Sequence, residues 1–284
     1  MIPYNKNSIT LCLDNLLIGF LFSSQAGYVM IDLTKEVACM RMPRGLHGVL
    51  VHELGQRIAQ GTYKTGDALS PDEVATQFDA SRPTVREALR VLESKGMLRI
   101  RQSLGTRVQP VEMWNLLDSE VVGWRLRGQD REDQIRELIE MRLAVEPIAA
   151  GLAATNQDPE AVRSLETAWM AMEGAVEKYD VQGFTDADVA FHAALLHGSG
   201  NQMFDHLTAL IATALEARGE TLSSHHADIS AEALAQHRLV LRAIADGHGA
   251  LAQTTMDQML RGLLTEPVDV PGEVEGQPAK TAVG

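Results

Sequence analysis

The segment Ser81-Arg82-Pro83-Thr84-Val85-Arg86-Glu87-Ala88-Leu89-Arg90 decides how the rest of this chain is read. Val85, Ala88, Leu89 and then Leu92 recur at the three- and four-residue spacing of one helix face. Arg82, Thr84, Arg86 and Arg90 fall on the polar face. Ser81 suits a helix start and Gly96 a helix stop, so the pattern predicts a helix over 81–94 with a buried side and a basic side.

Upstream, Ser70-Pro71-Asp72-Glu73 offers a capping serine, a first-turn proline and a glutamate three residues after the cap. That predicts a second helix running to Phe78. Before it, Leu46, Val49, Leu50, Leu54 and Ile58 predict a first helix, ended by Gly61 and followed by a turn at 63–67. Downstream, Leu98–Arg101 and 106–108 read as short strands joined by 102–105. Three helices and a small hairpin make a winged helix-turn-helix, whose last helix enters the major groove of DNA. Arginine takes guanine with two parallel hydrogen bonds, and serine or threonine binds phosphate or base edges. The blander alternative is an amphipathic helix with a solvated basic face. The two preceding helices and the wing sit where the motif needs them.

A net charge of -13 taken alone argues against DNA binding, but the average hides a split. Residues 42–110 hold 10 Lys and Arg against 7 Asp and Glu, whereas residues 111–284 hold 12 against 28. A basic module joined to an acidic one fits a chain in which one part meets phosphate and the other does something else. The two cysteines, Cys12 and Cys39, provide neither a disulfide framework nor a cysteine zinc site, and a reducing cytoplasm suits them. The apolar run Leu16-Leu17-Ile18-Gly19-Phe20-Leu21-Phe22 is far short of the roughly 20 residues a spanning helix needs. No membrane partner is expected. Residues 1–43 read as a poorly structured N-terminal extension, with Met40 or Met42 as a natural beginning, and residues 267–284 as a disordered tail.

Between them, 111–266 reads as helical throughout, giving a mainly α chain. The spacings predict helices over 113–127, 131–155, 159–179, 185–196, 202–221, 231–245 and 249–264. Asp158, Ser199-Gly200-Asn201 and Asp246-Gly247 supply the breaks.

The segment 81–90, with Leu92, Gly96, Leu98, Gly105-Thr106 and the upstream Gly66-Asp67-x-Leu69-Ser70, resembles the GntR family of bacterial repressors. The second half resembles the all-helical FCD domain of the FadR-like branch. The matching residues are Arg142-x-x-x-Glu146-Pro147, Asp188-x-x-Phe191-His192, Gly200-Asn201 and His237-x-x-x-Leu241-x-Ala243-Ile244. The segment Trp114-Asn115-Leu116-Leu117-Asp118-x-x-Val121-x-x-Trp124 is similar to that of galactonate-operon repressors and their sugar-acid-responsive relatives.

The resemblance implies a homodimer on a near-palindromic operator. The candidate DNA contacts are Arg44, Ser70, Ser81, Arg82, Thr84, Arg86, Arg90, Gly105 and Thr106. The family's wing carries a second glycine where this chain has Ser103. The resemblance also implies a divalent metal held by an aspartate and three histidines. Asp188 and His192 share one helix face, and His237 lies on another helix. Oxygen and nitrogen ligands suit zinc, nickel or manganese, but Met259 stands where the fourth ligand is expected, and a thioether binds such metals poorly. Three ligands would leave open positions for water or an effector carboxylate. The alternative is a helix pair of Asp188 and His192, with His237 lining a cavity without metal. His225 and His226 read as surface residues.

Arg142 sits among Leu138, Met141, Val145 and Ile148, where a lone guanidinium is costly unless paired. It either pairs with Glu146 one turn on or presents a fork to a carboxylate effector. The effector-site candidates are therefore Arg142, Glu146, Asp188, His192, Arg218 and His237. The function expected is a DNA-binding transcriptional regulator, a repressor by resemblance, controlled by a small carboxylate or sugar acid. Two alternatives stay open: a metal-dependent enzyme centred on Asp188, His192 and His237, or a constitutive DNA-binding protein. No nucleophile motif or phosphate loop supports the enzyme.

Overall fold

The structure is a computed structural model and describes residues 45–224 and 231–265. The N-terminal extension, Arg44, the stretch with His225 and His226, and the tail lie outside the described residues, as do the side chains of Leu46 and Thr221.

The first unit is built from α1 (Gly45–Ala59), β1 (Ala68–Leu69), α2 (Pro71–Gln77), α3 (Arg82–Ser94), β2 (Leu98–Arg101) and β3 (Gly105–Val108). Both predicted caps form: Ser70 Oγ accepts from Glu73 N at 3.4 Å, and Ser81 Oγ accepts from Thr84 N at 3.3 Å. The three strands form an antiparallel sheet in the order β1-β3-β2. Leu50, Leu54, Ile58, Val74, Leu89 and Leu92 fill the core between the helices, and Leu98 and Val108 close it from the sheet. Gly96 turns the chain with φ +78°, and a Cβ there would strike Met113 O.

The linker departs from the predicted single helix over 113–127. A 3-10 turn, Val111–Met113, is followed by an irregular stretch and then α4 (Ser119–Arg125). Asn115 Oδ1 accepts from Leu117 N at 3.2 Å, and Asp118 Oδ1 accepts from Glu120 N at 3.0 Å and Val121 N at 3.2 Å. These short side chains satisfy backbone donors outside a helix, and Asp118 caps an α4 that starts six residues late.

Helix α4 buries two faces. Val121 and Trp124 complete the apolar core of the first unit, whereas Val122 and Leu126 pack with Leu138 and Leu210 of the second. The Trp124 ring is 1% exposed, and its Nε1 donates to His52 Nδ1 at 3.1 Å. Gly55 lies beneath the ring, where a Cβ would come within 2.5 Å of it. Lys95, at the end of α3, bonds Asp118 at 2.6 Å and Glu120 at 2.7 Å.

The second unit is a bundle of α5 (Arg131–Asn156), α6 (Pro159–Lys178), α7 (Val181–Gly198), α8 (Gln202–Asp205), α9 (Thr208–Ser224), α10 (Ala231–Ala245) and α11 (Gly249–Thr265). The predicted helix over 202–221 is thus two. Helix α5 packs on α11 and α7, and α7 packs on α6 and α9. Small residues such as Ala149, Ala150, Ala153 and Ala194 allow these approaches around Phe191, Leu195 and Met172. Met259 is buried in this core. Among the described residues, no helix is long and apolar enough to cross a membrane.

Candidate functional site

Two regions hold the residues singled out in the sequence. On the first unit, α3 exposes Arg82, Arg86 and Arg90 on the side opposite buried Val85, Ala88, Leu89 and Leu92. Arg82 Nε pairs with Asp72 Oδ1 at 3.0 Å, and Arg90 Nη1 with Glu87 Oε1 at 2.7 Å. Both pairs are exposed and worth little, so either arginine is free to exchange its carboxylate for another anion. Arg86 makes no ion pair among the described residues. Ser81 Oγ and Thr84 Oγ1 bond each other at 2.8 Å at the exposed end of α3. Ser70 caps α2.

In the wing, Gly105 is exposed and takes φ +72°, a conformation that favours glycine. Thr106 behaves differently from the expectation. Its alternation puts it on the inner face, where it is only 4% exposed, so its side chain supports the wing from inside rather than facing a ligand. Ser103 lies exposed in the wing turn.

The bundle's polar centre comes from three helices. Helix α5 contributes Arg142 and Glu146, α7 contributes Asp188 and His192, and α10 contributes His237. All five are buried. Arg142 Nε donates to Glu146 Oε1 at 2.6 Å, so the predicted pair on one helix forms. Arg142 Nη2 also lies 3.2 Å from His192 Nε2. His192 Nδ1 lies 2.5 Å from Glu146 Oε2, an ion pair when the ring is protonated. Asp188 Oδ1 lies 3.0 Å from His237 Nε2 and 3.3 Å from His192 Nε2. The sequence pairs Glu146 only with Arg142; its approach to His192 depends on how α5 and α7 pack. Arg218 is half-buried on α9.

Burial raises the carboxyl of Glu146, but the charges of Arg142 and His192 outweigh it and hold the group at about 2. Burial likewise opposes ionisation of Asp188, and hydrogen bonds from His192 and His237 hold it well below the usual carboxylate range. Burial would discharge His192, but Glu146 and then Asp188 outweigh burial and the repulsion of Arg142, raising it to about 8.

Do these residues suit a divalent metal? His237 Nδ1 lies 2.7 Å from Ala233 O, and since a carbonyl only accepts, Nδ1 carries the proton. That leaves Nε2 facing the Asp188 carboxylate. A ring nitrogen and a carboxylate oxygen buried 3.0 Å apart share a cation, either a proton on Nε2 or a metal. The ligand atoms of Asp188, His192 and His237 all lie within 4.8 Å of one another. Metal bonds of about 2.0–2.2 Å place neighbouring ligand atoms at such separations, and a second-nitrogen bond like that of His237 is the usual support for a metal-binding imidazole. The three residues therefore fit a divalent ion, with Arg142 beside it.

The chain's matches to known proteins agree with both regions. Residues 47–108 match the family described as bacterial regulatory proteins, gntR family, and residues 137–262 match the FCD domain. The HTH-type transcriptional regulator YieP of Escherichia coli (strain K12) is 30% identical, the match covering 77% of this chain and 94% of that protein. The galactonate operon transcriptional repressor of the same organism is 29% identical over 72% of this chain and 89% of its own length. Among solved structures, Lar, described as controlling expression of the Listeria monocytogenes agr system, superposes with a TM-score of 0.55 at 17% identity. That match covers 78% of this chain and 95% of Lar, and it reflects the shared fold.

Proposed function

The chain belongs to the GntR family of bacterial regulatory proteins with an FCD domain, and from that premise we propose how this DNA-binding transcriptional regulator is controlled. It is a regulator and not an enzyme. In the proposed division, residues 44–110 form the DNA-binding head, and residues 111–266 bind the effector and dimerise.

Two heads would present α3 to half-sites one helical turn apart. Arg82, Arg86 and Arg90 then reach base edges and phosphates, with Ser81 and Thr84 at the helix end and Gly105 at the wing. Ser70 acts through its cap on α2, and Arg44 precedes α1. The effector is a small carboxylate of the sugar-acid class, bound in the bundle beside Arg142, His192 and His237, with Arg218 contributing from α9. Asp188, His192 and His237 would hold a divalent metal, which supplies a Lewis-acidic seat for the carboxylate. Zinc, nickel or manganese matches these donors. Effector affinity that differs between head arrangements shifts the population toward the form that releases DNA.

The observation that carries this reading is the fully buried set Arg142, Glu146, Asp188, His192 and His237. An apolar bundle of this size would gain nothing in stability from so many charges. The test is a thermal-shift panel of sugar acids with and without zinc, followed by operator titration with whichever acids shift the melt. A set of acids that raises the melting temperature and weakens DNA binding supports the proposal. If operator affinity stays constant for every acid that binds, effector control is wrong.

A further inference from the structure

The sheet of the head carries a cationic stripe that none of the expected contacts includes. In the β2–β3 register, Arg99 stands directly opposite Arg107, and Arg101 opposite Gly105. Leu98, Thr106 and Val108 point inward and are buried, so alternation turns Arg99, Arg101 and Arg107 together to the outer face, where all three are exposed. None of the three makes an ion pair among the described residues. Arg107 Nη1 donates to Gly66 O at 2.8 Å, which steadies its side chain without neutralising it.

Like charges directly opposite across a strand pair destabilise it. Three guanidiniums on one face of a hairpin of two four-residue strands, in a chain of net charge -13, therefore oppose hairpin stability. We infer that this stripe is a phosphate-binding surface for the DNA backbone flanking the groove that α3 occupies. The inference rests on the DNA-binding role of the head. Arg99 and Arg101 lie two residues apart on one face, about 6.6 Å along the strand, close to the step between successive phosphates of one DNA strand. Their planar forks suit phosphate oxygens. The stripe is also fixed relative to α3, because Glu93 Oε1 near the end of that helix accepts from Ile100 N at 2.7 Å.

The test uses the full chain and a 30-base-pair duplex it selects from a random pool, with a scrambled duplex beside it. Binding is measured from 50 to 300 mM salt for the wild type, R99Q/R107Q and R99Q/R101Q. The second variant leaves the Gly66 bond intact, so it separates phosphate contact from damage to the wing. Two lost phosphate contacts in each head, four per dimer, should reduce the slope of log K against log salt by about 3.6, and weaken both duplexes on the order of 1,000-fold at 0.15 M salt. An unchanged slope in both variants overturns the inference. So does weakening of the selected duplex alone, which would mean base reading. A change in oligomeric mass with the slope unchanged also overturns it, by making the stripe a subunit contact. If the wild-type chain selects no duplex, the DNA-binding role itself fails, a result distinct from all of these.

Discussion

Substituting Gly55 with alanine should change the sign of its effect when Trp124 is removed. Gly55 lies inside α1, where glycine is about 0.8–1.0 kcal/mol worse than alanine, so on propensity alone the substitution stabilises. In the wild-type chain the new Cβ would sit 2.5–2.6 Å from three ring atoms of Trp124, about 1 Å inside ordinary carbon contact. The ring cannot step aside, since it is buried and tied to His52 through Nε1. Overpacking of this kind costs about 1–3 kcal/mol, leaving Gly55→Ala destabilising by about 0–2 kcal/mol. Trp124→Ala alone should cost about 3–5 kcal/mol, for a large buried ring and the cavity it leaves. In that background the clash is gone, and Gly55→Ala should stabilise by about 1 kcal/mol. Urea unfolding of the four proteins closes the cycle, read by far-ultraviolet circular dichroism so that loss of a tryptophan does not blur the signal. A coupling of about 1–3 kcal/mol is expected. If Gly55→Ala has the same sign and size in both backgrounds, the ring does not occupy the slot over Gly55 and the shared core is wrong.

Other perturbations probe separate parts of the molecule. Gly96→Ala combines a left-handed backbone with a collision against Met113 O, and should lower stability by more than about 2 kcal/mol in the same unfolding assay. Arg86→Ala should weaken a selected duplex by about 1–3 kcal/mol and relax sequence preference at one position in a binding-selection readout, while leaving the melting temperature unchanged. For His192, the folded value near 8 lies above the usual 6.5, so its contribution is complete below pH 6.5 and lost as pH rises through 8. Metal-free protein should lose about 2 kcal/mol between pH 6 and pH 9, a fall absent in His192→Gln. Glu146, held near 2, contributes above its usual value of 4.5 and adds no slope in that window. Zinc should raise the melting temperature of the wild type and leave Asp188→Asn unmoved; an equal rise in both would place the ion elsewhere.

Much of the head is legible in the sequence because its signals are local. Ser70, Ser81 and Gly96 bracket helices whose apolar residues repeat at helical spacing, and the structure places those helices where the spacing does. The linker shows where local signals compete. Trp114, Leu117, Val121 and Trp124 share one helical face, but Asn115 and Asp118 satisfy backbone donors without a helix and delay it. β1 is two residues long and exists only because β3 is there to pair with it. The polar centre was legible as separate motifs on separate helices. That Glu146 touches His192, and that His237 Nε2 faces Asp188, depends on packing between helices. The inward turn of Thr106 and the outward stripe of Arg99, Arg101 and Arg107 follow from strand register, fixed by pairing rather than by any one residue type.

The double burial of α4 has a practical meaning for anyone who would exchange heads among relatives. A chimaera joined at residue 110 would bring a foreign first helix under Trp124, and only a recipient with a glycine at the position of Gly55 and a partner like His52 would admit the ring. Moving the junction past α4, to 128–130, keeps the tryptophan in its own slot but sets Val122 and Leu126 against unfamiliar neighbours in place of Leu138 and Leu210. Neither splice is clean. Heads and bundles of this architecture are interchangeable only between chains that have kept both faces of this seven-residue helix compatible.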